Sequence, residues 1–165
     1  MTYKSFIAWI KSVLKEDKQN TMPTQTNAQK LVASAKKFLG QNLSVGTGVP
    51  YYVACAISLN KVHQDAFGFP IGGGASTAEL YHALSQSPYF KQVDAPTLGC
   101  VVISPTGSGS NPAYTHGHVG LQCLHGICSN DSSTGLWSEN YADIEAWKAQ
   151  FEVIEKYPTY FFMRI

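Results

Sequence analysis

The sequence predicts an α+β domain in which N-terminal helices pack on a small antiparallel sheet. Before residue 40, apolar side chains recur at the spacing of amphipathic helices. After residue 40 come nearly all of the 14 glycines and 8 prolines, and between them lie short runs of β-forming residues. A chain of 165 residues, 44% of them hydrophobic, is long enough to bury one core.

The first part of the chain is predicted to stand apart from the main domain. Residues 3–16 place apolar side chains around a helix that also carries lysines. This helix either packs on the core or contacts a membrane or a partner. A polar stretch containing a proline follows at residues 19–25, so we interpret residues 1–25 as a helix and a connector.

Three helices are predicted in the main domain, residues 26–165, and each has a recognisable start. Side chains that cap helices precede the first and the third, and glycines and a proline precede the second. The helices run from Thr26 or Asn27 to Gly40, from near Ala54 past Asn60, and from Ser76 or Thr77 through Leu84.

The last part of the chain changes to a strand pattern after Pro96. Short apolar segments are separated by a loop rich in serine, glycine and proline, residues 105–113. One further helix is predicted over residues 143–151. The predicted strands cover residues 99–104, 118–124, 127–130 and 157–165.

Composition excludes several classes of function. A net charge of +1 with 14% charged residues does not provide the concentrated basic surface that nucleic-acid binding needs. No apolar run approaches the roughly 20 residues of a membrane-spanning helix. The apolar run before Lys11 is too short for a signal peptide, so we expect synthesis in a reducing cytoplasm, with the four cysteines made as thiols.

One thiol lies in an apolar segment, residues 50–60, which reads Pro-Tyr-Tyr-Val-Ala-Cys-Ala-Ile-Ser-Leu-Asn. Its β-forming residues are compatible with a buried strand, but the flanking residues favour a helix that begins near Ala54. In the first turn of that helix, Cys55 lies among unpaired backbone N–H groups, which favour the thiolate and can bind an oxyanion. The alternative is a buried cysteine that takes no part in chemistry.

A histidine flanked by glycines follows later, in the segment Thr115-His-Gly-His-Val-Gly-Leu121. His118 opens a predicted strand and can present a ring nitrogen to a neighbouring thiol, first as a base and then as an acid. His116 has the same facing and is the rival base. The combination of thiol and imidazole, more than either residue alone, indicates nucleophilic catalysis by cysteine.

These segments, together with Leu98-Gly-Cys-Val-Val-Ile-Ser, resemble the CHAP and NlpC-like superfamily of cysteine amidohydrolases. The resemblance covers roughly residues 45–165 and implies a minimal papain-like fold. It implies that Cys55 is the nucleophile and His118 the base. With the backbone N–H of Cys55, Tyr51 or Tyr52 would hold the oxyanion.

The resemblance also implies a third polar residue, on the strand after His118, that orients the imidazole. Many members of the superfamily have glutamate at the position of Cys128, which leaves Asn130 as our prediction. A three-residue turn, Leu124-His125-Gly126, would place Asn130 on the same face as His118.

A two-residue turn at His125-Gly126 is the competing prediction for this hairpin. It would pair Cys123 with Cys128, as in a cross-strand disulfide, and turn Asn130 away from the histidine. If the three-residue turn is wrong, Ser129 or Asp131 becomes the better third residue.

The function implied by the resemblance is hydrolysis of an amide bond in peptidoglycan, without a cofactor. The enzyme would be a stem-peptide endopeptidase or an N-acetylmuramoyl-L-alanine amidase that forms a thioester acyl-enzyme. A phage lysin or a virion-associated lytic protein fits a chain made in the cytoplasm that acts on the cell wall after lysis, after release or from a particle.

Three alternatives remain open at the level of the sequence. The first is a binding or virion structural module that keeps the fold without catalysis. The second is a thiol acyltransferase, in which an amine replaces water. The third is a zinc site with nominal ligands at His116, His118, Cys123 and Cys128.

Overall fold

The computed structural model describes residues 24–165, and the helix predicted over residues 3–16 lies outside them. The predicted α+β class is confirmed, because the described residues form four α-helices and a six-stranded antiparallel sheet. The division near residue 25 stays a prediction. Within the described part of the chain, no helix is long and apolar enough to cross a membrane.

Three helices pack on one face of the sheet: α1 (Asn27–Lys37), α2 (Cys55–Phe67) and α3 (Thr77–Gln86). Thr26 starts α1 through a capping box, in which its hydroxyl accepts a hydrogen bond from the backbone N–H of Gln29. The Gln29 side chain in turn accepts from the backbone N–H of Thr26. The capping residues seen in the sequence therefore do fix the helix starts.

Six strands form the sheet, and every neighbouring pair is antiparallel. Their order across the sheet is β1-β6-β2-β3-β4-β5. The two outer strands were not predicted, because partly exposed edge strands lack a continuous apolar run. The strands are β1 (Phe90–Val93), β2 (Val101–Ser104), β3 (His118–Gln122), β4 (Ile127–Asn130), β5 (Trp137–Tyr141) and β6 (Tyr160–Arg164).

The other face of the sheet is covered by the helix predicted over residues 143–151. It begins as α4 (Ile144–Lys148) and continues as a wider π-helical turn (Ala149–Ile154). Trp147 and Phe151 lie four residues apart in this segment and pack together in a second core cluster. The sheet is thus buried on both sides, and all four residues of β2 are inaccessible to solvent.

The β3–β4 turn differs from both predictions. The backbone N–H of Cys123 donates to the carbonyl of Gly126 at 2.7 Å, so only Leu124 and His125 lie between them. The preference for a three-residue turn was wrong because Gly126 does not adopt a left-handed conformation. Its missing side chain instead admits the carbonyl oxygen of Tyr141, with which a Cβ would collide.

This turn sets the register of the hairpin. Gly120 lies opposite Ser129, and Leu121 lies opposite Cys128. Because side chains alternate between faces, Asn130 shares the helical face and points away from His118. Ser129 lies on the same face as His118.

Candidate active site

Cys55 is the first residue of α2, as the helical interpretation of this segment predicted. A short 3-10 turn, Tyr51–Val53, leads into the helix, and Ala54 provides no side-chain cap. The first backbone N–H groups of α2 are therefore not occupied by a capping side chain. The Cys55 side chain is buried, with 5% of the residue exposed.

Burial dominates the electrostatics of this thiol. It raises the pKa of Cys55 to about 11, although backbone N–H groups of Val119, Ala56 and Cys55 itself lower it. The backbone N–H groups at the helix start thus lower the pKa of Cys55, as expected. Burial outweighs them, so the predicted thiolate does not form at neutral pH. In the free protein the site holds a neutral thiol.

The base predicted from the sequence, His118, is the first residue of β3 and points to the face covered by α4. Its ring stacks on Trp147, with centroids 5.4 Å apart, and on Phe151, at 5.6 Å. Gly117 is required beside it, because a Cβ there would collide with the backbone of Ser104. The glycine-flanked histidine therefore reflects close packing of β3 on β2.

The His118 ring is kept neutral by its aromatic surroundings. Burial lowers the pKa of His118 to about 4, and the negative charge of Asp131 opposes this shift. Among the described residues, no side chain or backbone group forms a hydrogen bond with either ring nitrogen. The imidazole is thus available to accept a proton.

Cys55 and His118 both line one cavity of about 320 Å³. The thiol comes from the helical face of the sheet and the imidazole from the aromatic face, and the cavity lies where β3 begins. Within residues 24–165 no hydrogen bond joins the Cys55 thiol to the His118 ring, so the two side chains are not a preformed ion pair. Other lining residues include Tyr52, Thr77, Thr106 and His116.

A larger cavity of about 550 Å³ extends from the other side of His118. Its lining is rich in polar groups and combines carboxylate, amide, hydroxyl and imidazole side chains. Tyr52 and His116 line both cavities, so the two spaces adjoin. The polar lining includes Asp131, Ser132, Asn140, Gln150 and Glu155.

Asn130 lines the larger cavity together with His118, but its side chain forms no hydrogen bond with the imidazole. Its side-chain N–H donates to the backbone carbonyl of Tyr51 at 2.7 Å, and its carbonyl oxygen accepts from the Ser58 hydroxyl at 3.3 Å. Only 1% of the residue is exposed. Asn130 therefore ties β4 to the turn before Cys55, and in this arrangement it positions the start of α2 instead of orienting His118.

Two other residues remain as the third member of the site. Ser129 shares the face of His118, but its hydroxyl accepts a hydrogen bond from Asn140 at 2.8 Å. Asp131 follows β4 beside the start of β3, and its charge raises the pKa of His118 against the effect of burial. Asp131 is thus the residue that acts electrostatically on the imidazole.

The two tyrosines proposed to hold the oxyanion are placed differently. Tyr52 lines both cavities, whereas Tyr51 lines neither. The Tyr51 side chain packs against Gly135, where a Cβ would come within 2.7 Å of it. The cavity thus favours Tyr52 over Tyr51 as a substrate contact.

The zinc ligands nominated from the sequence do not converge. His118 and the cysteines lie on opposite faces of the sheet, because the two thiols belong to the helical core cluster. Within the described residues, the group of potential ligands that does come together is Cys123, Cys128 and Glu139.

Several residues around His118 were not anticipated as part of a site. Glu155 is buried beside the larger cavity, and burial raises its pKa. Burial also raises the pKa of Tyr141 to about 12, with the charges of Glu155, Asp131 and Cys55 adding to the effect. The four-residue spacing of Trp147 and Phe151 was the one signal in the sequence for an aromatic cluster here, since it puts both rings on one side of a helix.

No protein-family model matches the chain, and no curated protein matches its sequence. We therefore infer function from the geometry of the cavities and from the short motifs around Cys55 and His118.

Proposed function

We propose that this chain is a cysteine hydrolase that cleaves an amide bond of peptidoglycan. The observation that carries the proposal is the shared cavity. A thiol at the start of a helix, close to several backbone N–H groups, lines the same cavity as an imidazole whose nitrogens have no hydrogen bond to the described residues. A nucleophile, a base and oxyanion donors are the groups that amide cleavage requires.

The reaction begins from a neutral pair. As Cys55 Sγ attacks the carbonyl carbon, the thiol proton passes to His118, and the carbonyl oxygen gains negative charge near the first N–H groups of α2. The imidazolium then protonates the leaving amine, which breaks the C–N bond and leaves a thioester. Water, deprotonated by His118, releases the acid and restores the thiol.

Asp131 supports this cycle through its charge. Aromatic packing disfavours a charged His118, so the imidazolium formed during the reaction needs a nearby negative group. A carboxylate beside the histidine stabilises that intermediate without itself becoming protonated. Asp131 thus takes the role in the proposal that was predicted for Asn130.

The substrate class rests on the resemblance to CHAP and NlpC-like enzymes and on their minimal papain-like fold. The cavity of about 550 Å³ beside His118 supports a peptide substrate, because its amide, hydroxyl and carboxylate groups suit peptide hydrogen bonds. Stem-peptide endopeptidase and N-acetylmuramoyl-L-alanine amidase activities both fit. Action after lysis, after release or from a virion would bring the protein to the wall.

The proposal is tested by incubating the full chain with several purified peptidoglycans and identifying released fragments by mass spectrometry. We expect new amine and acid ends with the wild type and with Cys100→Ala. We expect a loss of at least about 10³-fold with Cys55→Ala. The Cys100 variant is the matched control, because Cys100 is also buried but lies in the other core cluster.

A non-catalytic binding module is the second candidate, and one observation favours it. Burial holds Cys55 as a thiol with a pKa of about 11, as expected for a structural cysteine. Well-folded wild type that binds peptidoglycan in a sedimentation assay but releases nothing would support this function and contradict hydrolysis.

A further inference from the structure

A pair of thiols lies at the far end of β3 from His118. Cys123 directly follows β3, and Cys128 lies within β4 on the same face of the sheet. Their sulfur atoms are 2.6 Å apart, and the residues are 3% and 1% exposed. The two thiols are therefore in direct contact inside the core that the helices cover.

This contact is much closer than ordinary packing. Unbonded heavy atoms in a protein core settle at roughly 3.5–4.0 Å, whereas two bonded sulfurs lie about 2.0 Å apart. The tight turn holds the two cysteines on adjacent strands, so little movement of the backbone separates the contact from a covalent bond. The hairpin is thus already shaped for a disulfide.

Zinc fits the same pair less well. With zinc–sulfur bonds of about 2.3 Å and tetrahedral angles, two thiolate ligands stand roughly 3.8 Å apart. The third ligand offered here, Glu139, has an exposed side chain. The strands would have to separate to admit a metal ion, whereas a disulfide needs them to move together.

We propose that Cys123 and Cys128 form a reversible intramolecular disulfide by exchange with a small-molecule disulfide. The Cys123 thiolate attacks one sulfur of the reagent, giving a mixed disulfide and releasing one thiol. Cys128 then loses its proton and attacks the Cys123 sulfur, which releases the second thiol. The protein loses two electrons and two protons, and the reagent gains both.

The surroundings identify Cys123 as the sulfur that reacts first with the external disulfide. It lines a cavity of about 500 Å³ at the surface, and Cys128 does not. The hydrogen bond from Cys128 lowers the pKa of Cys123, which favours the thiolate needed for the first step. The same bond raises the pKa of Cys128.

The test uses the full chain, first reduced and then incubated with glutathione disulfide. Alkylation and intact mass should count four free thiols before oxidation, matching the four cysteines of the sequence, and about half as many afterwards. Chymotrypsin, which cleaves after Leu124, should leave two peptides joined through Cys123 and Cys128. Addition of dithiothreitol should restore all thiols.

Variants make the assignment specific. Cys123→Ser and Cys128→Ser should each abolish the linked peptides, and Cys128→Ser should instead trap a glutathione adduct on Cys123, whereas Cys100→Ser should leave the linked peptides unchanged. Thermal unfolding verifies that each variant is folded. If a variant does not fold, the peptide map of the oxidised wild type still tests the bond between Cys123 and Cys128. In the wild type, an unchanged thiol count, a lasting glutathione adduct on Cys123, or zinc bound to this pair in place of oxidation would overturn the proposal. The test does not involve Cys55, so it stands apart from hydrolysis.

Discussion

The two faces of the sheet are built from different kinds of side chain. Under the three helices the core is mostly aliphatic and contains the candidate nucleophile, Cys55. On the other face a smaller cluster, rich in aromatic rings, encloses the candidate base, His118. The backbone between these faces is buried, so the site depends on both cores while its cavity lies where β3 begins.

Burial, more than the local motif, sets the protonation state of Cys55 and of His118. Backbone N–H groups favour a Cys55 thiolate, yet the pKa rises to about 11. A nearby carboxylate favours a charged His118, yet the pKa falls to about 4. Each face keeps its reactive group neutral, and charge is expected only when a substrate brings them together.

The aromatic face should show the largest loss of stability. Trp147 is fully buried, stacks on His118 and donates from its indole N–H to the Ser104 hydroxyl at 3.1 Å. We expect Trp147→Ala to lower the free energy of unfolding by about 3–5 kcal/mol in urea denaturation. Trp147→Phe keeps a ring beside the histidine and should cost about 1–2 kcal/mol. Equal losses of stability in the two variants would show that the aromatic ring stacked on His118 contributes little.

The contact between β2 and β3 should give the next largest effect. A Cβ at Gly117 would collide with the backbone of Ser104 and Thr106, so Gly117→Ala should cost about 1–3 kcal/mol and displace the neighbouring His118. Gly107→Ala is the matched control, since its Cβ meets open space and only its left-handed conformation matters. That change should cost about 1 kcal/mol. A smaller loss at Gly117 than at Gly107 would refute the packing argument.

The neutral state of His118 predicts a dependence of stability on pH. Its pKa is about 4 in the folded protein against 6.5 when unperturbed, so between these values only the unfolded chain binds the proton. Stability should therefore fall as the pH drops from 6.5 to about 4, by on the order of 3 kcal/mol from this residue, and the contribution should flatten below that range.

Denaturation curves at several pH values check this slope. His118→Gln should remove most of the contribution from this site. His63, whose pKa burial also lowers, should leave a smaller slope of the same sign. A slope unchanged by His118→Gln would contradict the assignment.

The smallest effect is expected from the carboxylate beside the histidine. Asp131→Asn keeps an acceptor for the Ser133 backbone N–H, so stability should change by no more than about 0.5–1 kcal/mol. The lost charge should lower the pKa of His118 further, as measured by NMR titration of the ring protons. A pKa that rises or stays fixed would remove Asp131 from the site.

Local patterns in the sequence predicted a large part of the fold. Capping residues and helical spacing located α1, α2 and α3, and apolar runs located the four inner strands. The edge strands β1 and β5 escaped prediction because their exposed positions carry polar side chains. Sheet order was also beyond reach, since pairing depends on contacts between distant segments.

The sequence indicated candidate site residues, but it did not predict how they are arranged. The segments of Cys55 and His118 do line one cavity, as their motifs indicated. The assignment of Asn130 depended on a three-residue turn that ends at Gly126. In the structure Gly126 instead packs against the carbonyl oxygen of Tyr141 in β5, and the hairpin has a different register. A register shift of a single residue therefore moved its side chain to the other face.

The proposed function requires that Cys55 and His118, from opposite faces of the sheet, act as one catalytic unit. It is tested most directly by the rate of peptidoglycan cleavage in Cys55→Ala, His118→Gln and the double variant. We expect each single change to lower the rate by at least about 10³-fold and the double variant to be no slower than either. Substantial activity in His118→Gln, or losses that multiply in the double variant, would contradict the claim.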